Sequence, residues 1–293
     1  MIVREITSRA DRETWTRVRN RVEVEAPSTL DDLLQVLKLK PETRHWLAED
    51  GGEAVGCVFA ARSSAADRAF VLPRVVPEAR SGGVGTALLE AALPHARTFG
   101  YALARSHVDG ADAHSLRFAV RRGCREIDRQ VELVRDLGSD EAVPALPSGI
   151  ELVEHEGDPE SLRALVSAGV ADMPVVGGLA DGFVEEMLDE LRRSIHVVTA
   201  RDGAVVVGLA GLGAYGVGRE DALEHTFTTV APTHRGRGIA RALKLACVRW
   251  SSEHGYRQLV TWTQDGNLAM QGVNQAVGFR PGKISITVEG QLQ

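Results

Sequence analysis

The chain has 293 residues, and at about 150 residues per domain that length favours two domains over one. Its 34 basic and 40 acidic side chains leave a net charge of −6, the opposite of the excess that holds a protein on nucleic acid by bulk charge. A hydrophobic share of 44% with 25% charged residues is ordinary globular composition and excludes collagen-like, disordered and coiled-coil readings. Cys57, Cys124 and Cys247 are odd in number and widely spaced, which argues against a disulfide framework and for a reducing compartment. The N-terminus, Met1-Ile2-Val3-Arg4-Glu5, lacks the apolar stretch of a secretory signal. The longest charge-free run, Gly203 to Gly218, is too short to span a membrane and reads as a strand with turns. A cytoplasmic protein, without membrane or nucleic-acid partners, is expected.

In chain order, a short strand (Ile2 to Ile6) precedes a helical stretch and a variable acidic region. Apolar runs at Ala54 to Ala61 and Phe70 to Val76 read as central strands, followed by a glycine-rich loop and a helix. Gly138 to Gly149 holds Pro144, Pro147 and no apolar periodicity, so it reads as a linker between domains at 1–138 and 149–293. The second half repeats the order: strands at Ile150 to Val153, Ile195 to Thr199, Ala204 to Leu212 and His225 to Val230, then a loop. Ile239, Leu243, Cys247 and Trp250 recur at helical spacing, and Gly255 supplies a stop. Arg257 to Thr263 is the next strand, Asn267 an N-cap, and a last helix reaches about Val277. Strands and helices in this mixture predict an α/β (α+β) layer fold, each domain a mixed central sheet flanked by helices.

The two halves are copies. Val75-Val76-Pro77-Glu78-Ala79-Arg80-Ser81-Gly82-Gly83-Val84-Gly85 aligns with Val230-Ala231-Pro232-Thr233-His234-Arg235-Gly236-Arg237-Gly238-Ile239-Ala240 at an offset of 155. The same offset pairs Gly100-Tyr101 with Gly255-Tyr256, Asp112 with Asn267, and Gly123 with Gly278. That period is far too long for a solenoid, so one domain fold is used twice.

A strand, a glycine turn and a helix start together make an anion site, because the first helical N–H groups lack intrahelical partners and carry the positive end of the dipole. Glycine lets a phosphate approach those amides. Arg235, Arg237, Arg241 and Lys244 are expected to compensate phosphate charge in the second copy, whereas Arg80 is the sole cation of the first loop. Neither copy has the Gly-Lys-Ser/Thr of a Walker A loop. The residues three after Gly238 and Gly85 are Arg241 and Leu88, which also breaks the dinucleotide fingerprint.

Arg80-Ser81-Gly82-Gly83-Val84-Gly85 and Arg235-Gly236-Arg237-Gly238-Ile239-Ala240 both resemble the Q/R-x-x-G-x-G/A loop of GNAT-family N-acetyltransferases. Asn267 followed by Gly278-Phe279 is similar to the same family downstream. The resemblance implies two tandem GNAT-like acyl-CoA N-acyltransferase domains. It also implies that the loop amides, Thr86 included, take the pyrophosphate of acetyl-CoA, after Val75 and Val76 in the first copy. Thr228, Thr229 and Val230 would bond the pantetheine arm in the second. Thr261-Trp262-Thr263, Asn267, Met270, Asn274 and Gly278-Phe279 further resemble mycothiol synthase-like GNAT domains, which would imply an amino-sugar–cysteine acceptor.

Acetyl transfer to an amine needs a base, a stabiliser for the oxyanion and a leaving thiolate. In the histone acetyltransferase branch of the family a glutamate six residues before the loop valine is the base, which makes Glu224 the candidate. The other reading of Glu224 is a solvated strand-edge carboxylate. Strand alternation sets Glu224, Thr226, Thr228 and Val230 on one face. The matching residue of the first copy, Ala69, cannot take a proton, so the second domain is expected to be the catalyst. The family's tyrosine general acid is replaced by Asn274, and by Ala119 in the first copy. Another group or water then gives the proton, or the thiolate leaves unassisted. Asn274 is left with two readings, a hydrogen bond to the cofactor or a helix cap. A backbone N–H near Val230 is the expected oxyanion donor, and His225 points to the opposite face as a core residue. The histidines show no metal-ligand spacing, and no metal is expected.

Family members usually admit the acceptor between the first helices and the central strand. Here Asp172, Asp181, Glu185, Glu186, Asp189 and Glu190 form either an acidic rim for a cationic amine or the solvated face of an amphipathic helix. Two functions follow: an acetyl-CoA-dependent amine N-acetyltransferase with a catalytic second domain, or a silent acyl-CoA-binding regulatory module. The acceptor is a small-molecule or peptide amine, and the oligomeric state is not legible.

Overall fold

The computed structural model describes residues 1–24, 27–139, 141, 144–216 and 218–292. Asp140, Ala142 and Val143 of the expected linker, and Val217 of the charge-free run, lie outside the described residues. The chain forms two compact units: Met1–Asp128 with Gly216–Gly218 and Ile286–Gln293, and Arg129–Tyr215 with Arg219–Ser285. Among the described residues no helix is long and apolar enough to cross a membrane.

The first unit runs β1 (Ile2–Glu5), α1 (Arg9–Val22), α2 (Leu30–Leu39), β2 (Arg44–Asp50), β3 (Glu53–Arg62), β4 (Arg68–Val75), α3 (Val84–Arg97), β5 (Leu103–Asp109) and α4 (Ala113–Val120), entering β6 (Arg125–Asp136). Ser8 caps α1, and Thr29 with Asp32 closes a capping box on α2. The strands pair in the order β1-β2-β3-β4-β5, with β4 and β5 parallel. Val84, Leu88, Ala92 and Ala96 of α3 cover one face over Trp46, Val58, Ala69 and Val71. Trp15, Val18 and Leu33 cover the other over Leu47 and Cys57. The strand β2 went unread in the sequence because His45, Trp46, Leu47 and Ala48 are buried in succession, which erases the alternation.

The second unit continues with β7 (Ile150–Glu154), α5 (Arg163–Ala171), α6 (Phe183–Arg193), β8 (His196–Asp202), β9 (Val205–Ala214), β10 (Ala222–Val230), α7 (Ile239–Glu253), β11 (Gln258–Gln264), α8 (Leu268–Ala276) and β12 (Arg280–Gln291). Its strands follow the order β6-β11-β10-β9-β8-β7, and β10 with β11 is the parallel pair. Residues 280–285 of β12 belong to this unit, whereas its remainder belongs to the first. There Glu289, 5% exposed, takes Arg105 at 3.1 Å and Arg68 at 3.2 Å. Ile239, Leu243, Cys247 and Val248 of α7 pack on Leu223, Val230 and Leu259. On the other face Leu165, Val166, Leu188 and Leu191 of α5 and α6 pack on Val197, Leu209 and Phe227.

Those two clusters expose a bulge. Leu223 and Val230 lie on the α7 side but Phe227 lies on the α5/α6 side, which strict alternation forbids. Pairing with β9 shifts by one residue between His225 and Thr228, so Thr226 and Phe227 together oppose Gly211. A methyl at Gly211 would meet Thr226 Oγ1 at 3.0 Å, and one at Gly169 of α5 would meet Thr229 Oγ1 at 2.5 Å. Glu224, Thr226, Phe227 and Thr229 therefore share the α5/α6 face. The expectation that Thr228 and Val230 join Glu224 on one face is corrected: the extra residue turns them to the α7 side.

The first copy has no such bulge, since β3 and β4 stay in register from Gly56↔Val75 to Arg62↔Ala69. The parallel pairing ends at Phe70↔Arg105 in one copy and Glu224↔Val260 in the other. The counterpart of Glu224 is thus Phe70, one residue on from the Ala69 that the constant offset selects. Ala69 faces α3 instead.

Candidate functional site

The two loops have one backbone conformation. Arg80 and Arg235 have φ, ψ of −66°, 157° and −67°, 161°, and Gly83 and Gly238 both have φ 85°. Gly236 has φ 75°, where the first copy forces Ser81 to φ 65°, a left-handed position that favours glycine. Among the described residues no side chain caps the first turn of α3 or α7, and a methyl at Gly83, Gly236 or Gly238 would meet nothing within 4 Å. Each loop therefore presents uncapped amides to open space, as a phosphate requires. Val84 and Ile239 are buried, as is Val76, so these positions offer backbone alone to a ligand. Gly82 and Ala240 complete the two turns.

The arginines divide their work. Arg235 Nε–H donates to the Val230 carbonyl at 3.1 Å, as Arg80 does to Val75 at 3.3 Å, so both close the loop onto its own strand. Arg235 also pairs with Asp172. Arg237 donates to the Ser148 carbonyl at 3.1 Å and lies 3.3 Å from Asp202. Arg241 is exposed on the first turn of α7. Lys244 does not serve the loop: it is 2% exposed in the core, its Nζ 5.5 Å from the centroid of the Phe279 ring. It follows Leu243 on the helix face that packs inward, which counting residues from the loop cannot reveal.

Glu224 sits where β10 and β11 cease to pair. Burial, then the carboxylates of Glu190 and Glu132, push its pKa up to about 7, suited to taking a proton near neutrality. Glu132 of β6 accepts a hydrogen bond from the Tyr215 hydroxyl at 2.7 Å. No motif marks Glu132 or Tyr215, and the sequence reading missed both. The acidic rim is largely committed elsewhere. Glu185 pairs with Arg163 at 2.6 Å, Asp189 with Arg192 at 2.6 Å and Asp172 with Arg235, which favours the solvated-face reading. Glu190 alone of the six raises the pKa of Glu224, and burial raises its own.

On the far side of the parted strands, Asn267 caps α8 by accepting from the Met270 N–H at 3.1 Å. Asn274 is fully buried, donating from Nδ2 to Thr263 Oγ1 at 2.9 Å, while its Oδ1 has no partner among the described residues. His225 is buried in the core, as expected, with its pKa well below the usual value through burial and the Lys244 charge. The first copy is more closed. Phe118 packs 3.1 Å from where a methyl on Gly85 would lie, Arg122 donates to Thr86, and Asp112 pairs with Arg80 at 3.2 Å.

Comparison with known proteins agrees with this architecture. The profile of the acetyltransferase (GNAT) family matches residues 3–124 and 172–279. A mycothiol acetyltransferase of Nocardia farcinica is 27% identical over 252 residues, covering 83% of this chain and 81% of that protein. Among solved structures, a tandem GNAT protein from the clavulanic acid biosynthesis pathway has a TM-score of 0.80 at 21% identity, covering 100% of this chain and 98% of its own. A GCN5-related N-acetyltransferase from Sphaerobacter thermophilus has a TM-score of 0.75 at 17% identity, covering 100% and 96%. The loop and fold recur twice along one polypeptide, and the chain belongs to the acetyltransferase (GNAT) family as a tandem N-acetyltransferase.

Proposed function

We propose that the second copy, residues 149–293, transfers the acetyl group of acetyl-CoA to a primary amine of a small molecule or peptide by direct attack in a ternary complex. The observation that carries this reading is Glu224, a half-buried carboxylate with a pKa of about 7, at the point where β10 bulges and leaves β11. The uncapped amides of residues 236–241 suit a pyrophosphate, and Arg241 adds charge beside them. Backbone groups of Thr228, Thr229 and Val230 line the gap that a pantetheine arm would enter. Glu224 takes the ammonium proton, and a backbone N–H near Val230 meets the developing oxyanion.

The first copy lacks the bulge, carries Phe70 in place of the base and commits Arg80 to Asp112, so it serves as scaffold. An acceptor of the amino-sugar–cysteine type is a narrower reading, supported by the relative named mycothiol acetyltransferase. The absent tyrosine at Asn274 favours the other reading, a silent acyl-CoA-binding module. The test is calorimetry with acetyl-CoA, joined to thiol release against a panel of amines. Gly238→Glu should abolish binding because its carboxylate would occupy the anion position, while Gly83→Glu should leave turnover nearly unchanged. Normal binding by Gly238→Glu, or equal loss from both variants, overturns the assignment. Binding without turnover of any amine supports the module.

A further inference from the structure

Lys244 is an ammonium without a counter-ion in the core of the second unit. It is 2% exposed, and among the described residues it makes no ion pair or hydrogen bond. Stranding a charge this way is costly unless something completes it. Its neighbours are the titratable groups His225 on β10 and Cys247 on α7, with Phe279, just beyond α8, at 5.5 Å. Asn274 of α8 lies on the same side through Thr263. His225, the residue after Glu224, points to α7 while Glu224 points to α5 and α6, so the ammonium and the carboxylate flank one level of the parted strands from opposite faces.

We propose that Lys244 is the proton donor to the CoA thiolate, filling the role left vacant by Asn274. This rests on the second copy being the coenzyme site. A thioester threaded through the gap between β10 and β11 would have its acceptor on the Glu224 side and its sulfur on the Lys244 side. When the C–S bond breaks, its electron pair stays on sulfur. A proton from Nζ then neutralises the thiolate, and the neutral amine regains a proton from water as CoA departs. The proton lost by the acceptor leaves separately, through Glu224. Neither neighbour can substitute near neutral pH: His225 is held neutral by burial, and burial pushes the Cys247 thiol up to about 12. Burial brings Lys244 down to about 8, so near neutral pH it still holds a proton and gives it up more readily than an ordinary lysine.

The test needs no acceptor. The thiol of CoA bound to the full chain is titrated by the ultraviolet absorbance of its thiolate, in wild type and Lys244→Met. In wild type the bound thiol should ionise about one pH unit or more below the value of free CoA titrated alongside. In Lys244→Met it should return to that value or rise above it. Where melting shows Lys244→Met misfolded, Lys244→Gln, which keeps a polar end group without the charge, is titrated in its place. Equal thiol titration in wild type and variant overturns the proposal while leaving the acetyltransferase reading intact. Failure of wild type to bind CoA in the second copy overturns that reading first.

Discussion

Glu224 carries two opposed consequences, one for catalysis and one for stability, and Glu224→Gln separates them. Its pKa stands at about 7 against an ordinary 4.5, mainly because burial disfavours the ionised form. At about 1.4 kcal/mol per pH unit, the ionised carboxylate costs the native state about 3 kcal/mol. The sign follows from linkage. The folded protein holds this proton more tightly than the unfolded chain, so its stabilising effect is complete below pH 4.5 and is lost as pH rises through about 7. Glutamine stays neutral throughout. Glu224→Gln should therefore melt several degrees above wild type at pH 8, at roughly 2–4 °C per kcal/mol, and near it at pH 4.5. The same variant should lose amine acetylation, and the wild-type rate should rise with pH through about 7 as the base ionises. Thermal melts at the two pH values decide the matter. If wild type and variant respond to pH identically, Glu224 is an ordinary solvated carboxylate and the base assignment falls.

Two smaller perturbations probe the supports of the site. Gly169→Ala would drive a methyl to 2.5 Å from Thr229 Oγ1 and 2.8 Å from the Phe227 ring. Overpacking of that kind costs about 1–3 kcal/mol, and because it presses on the bulge it should also weaken acetyl-CoA binding; a melting temperature and affinity equal to wild type would contradict the packing. Thr263→Val removes the one hydrogen-bond partner that the buried Asn274 side-chain amide has among the described residues. Denaturant unfolding should show a loss of about 1–3 kcal/mol, whereas an unchanged midpoint would mean that the amide is satisfied by another group.

The loop was legible because its demands are local. Positive φ at Gly83, Gly236 and Gly238 and an arginine that bonds its own strand leave a fixed spacing in both copies. Asn267 was equally legible as a cap, since capping needs only the next turn. What escaped depends on partners distant in sequence. Six acidic residues look alike until Arg163, Arg192 and Arg235 are seen to take three of them, while the charge of Glu190 acts on Glu224. Lys244 reads as a loop cation until α7 turns it inward.

The bulge is the most instructive loss. The offset of 155 holds from the loop through Gly278, so nothing in it signals that one residue more is accommodated between Glu224 and Val230 than in the first copy. Pairing with β9 reveals it, and the consequence is chemical. With the extra residue, a carboxylate faces the α5/α6 side where the parallel strands part. Without it, the equivalent place falls to Phe70. Duplicated loops with matching dihedrals thus cannot tell the two copies apart; the register of the strand that feeds them can.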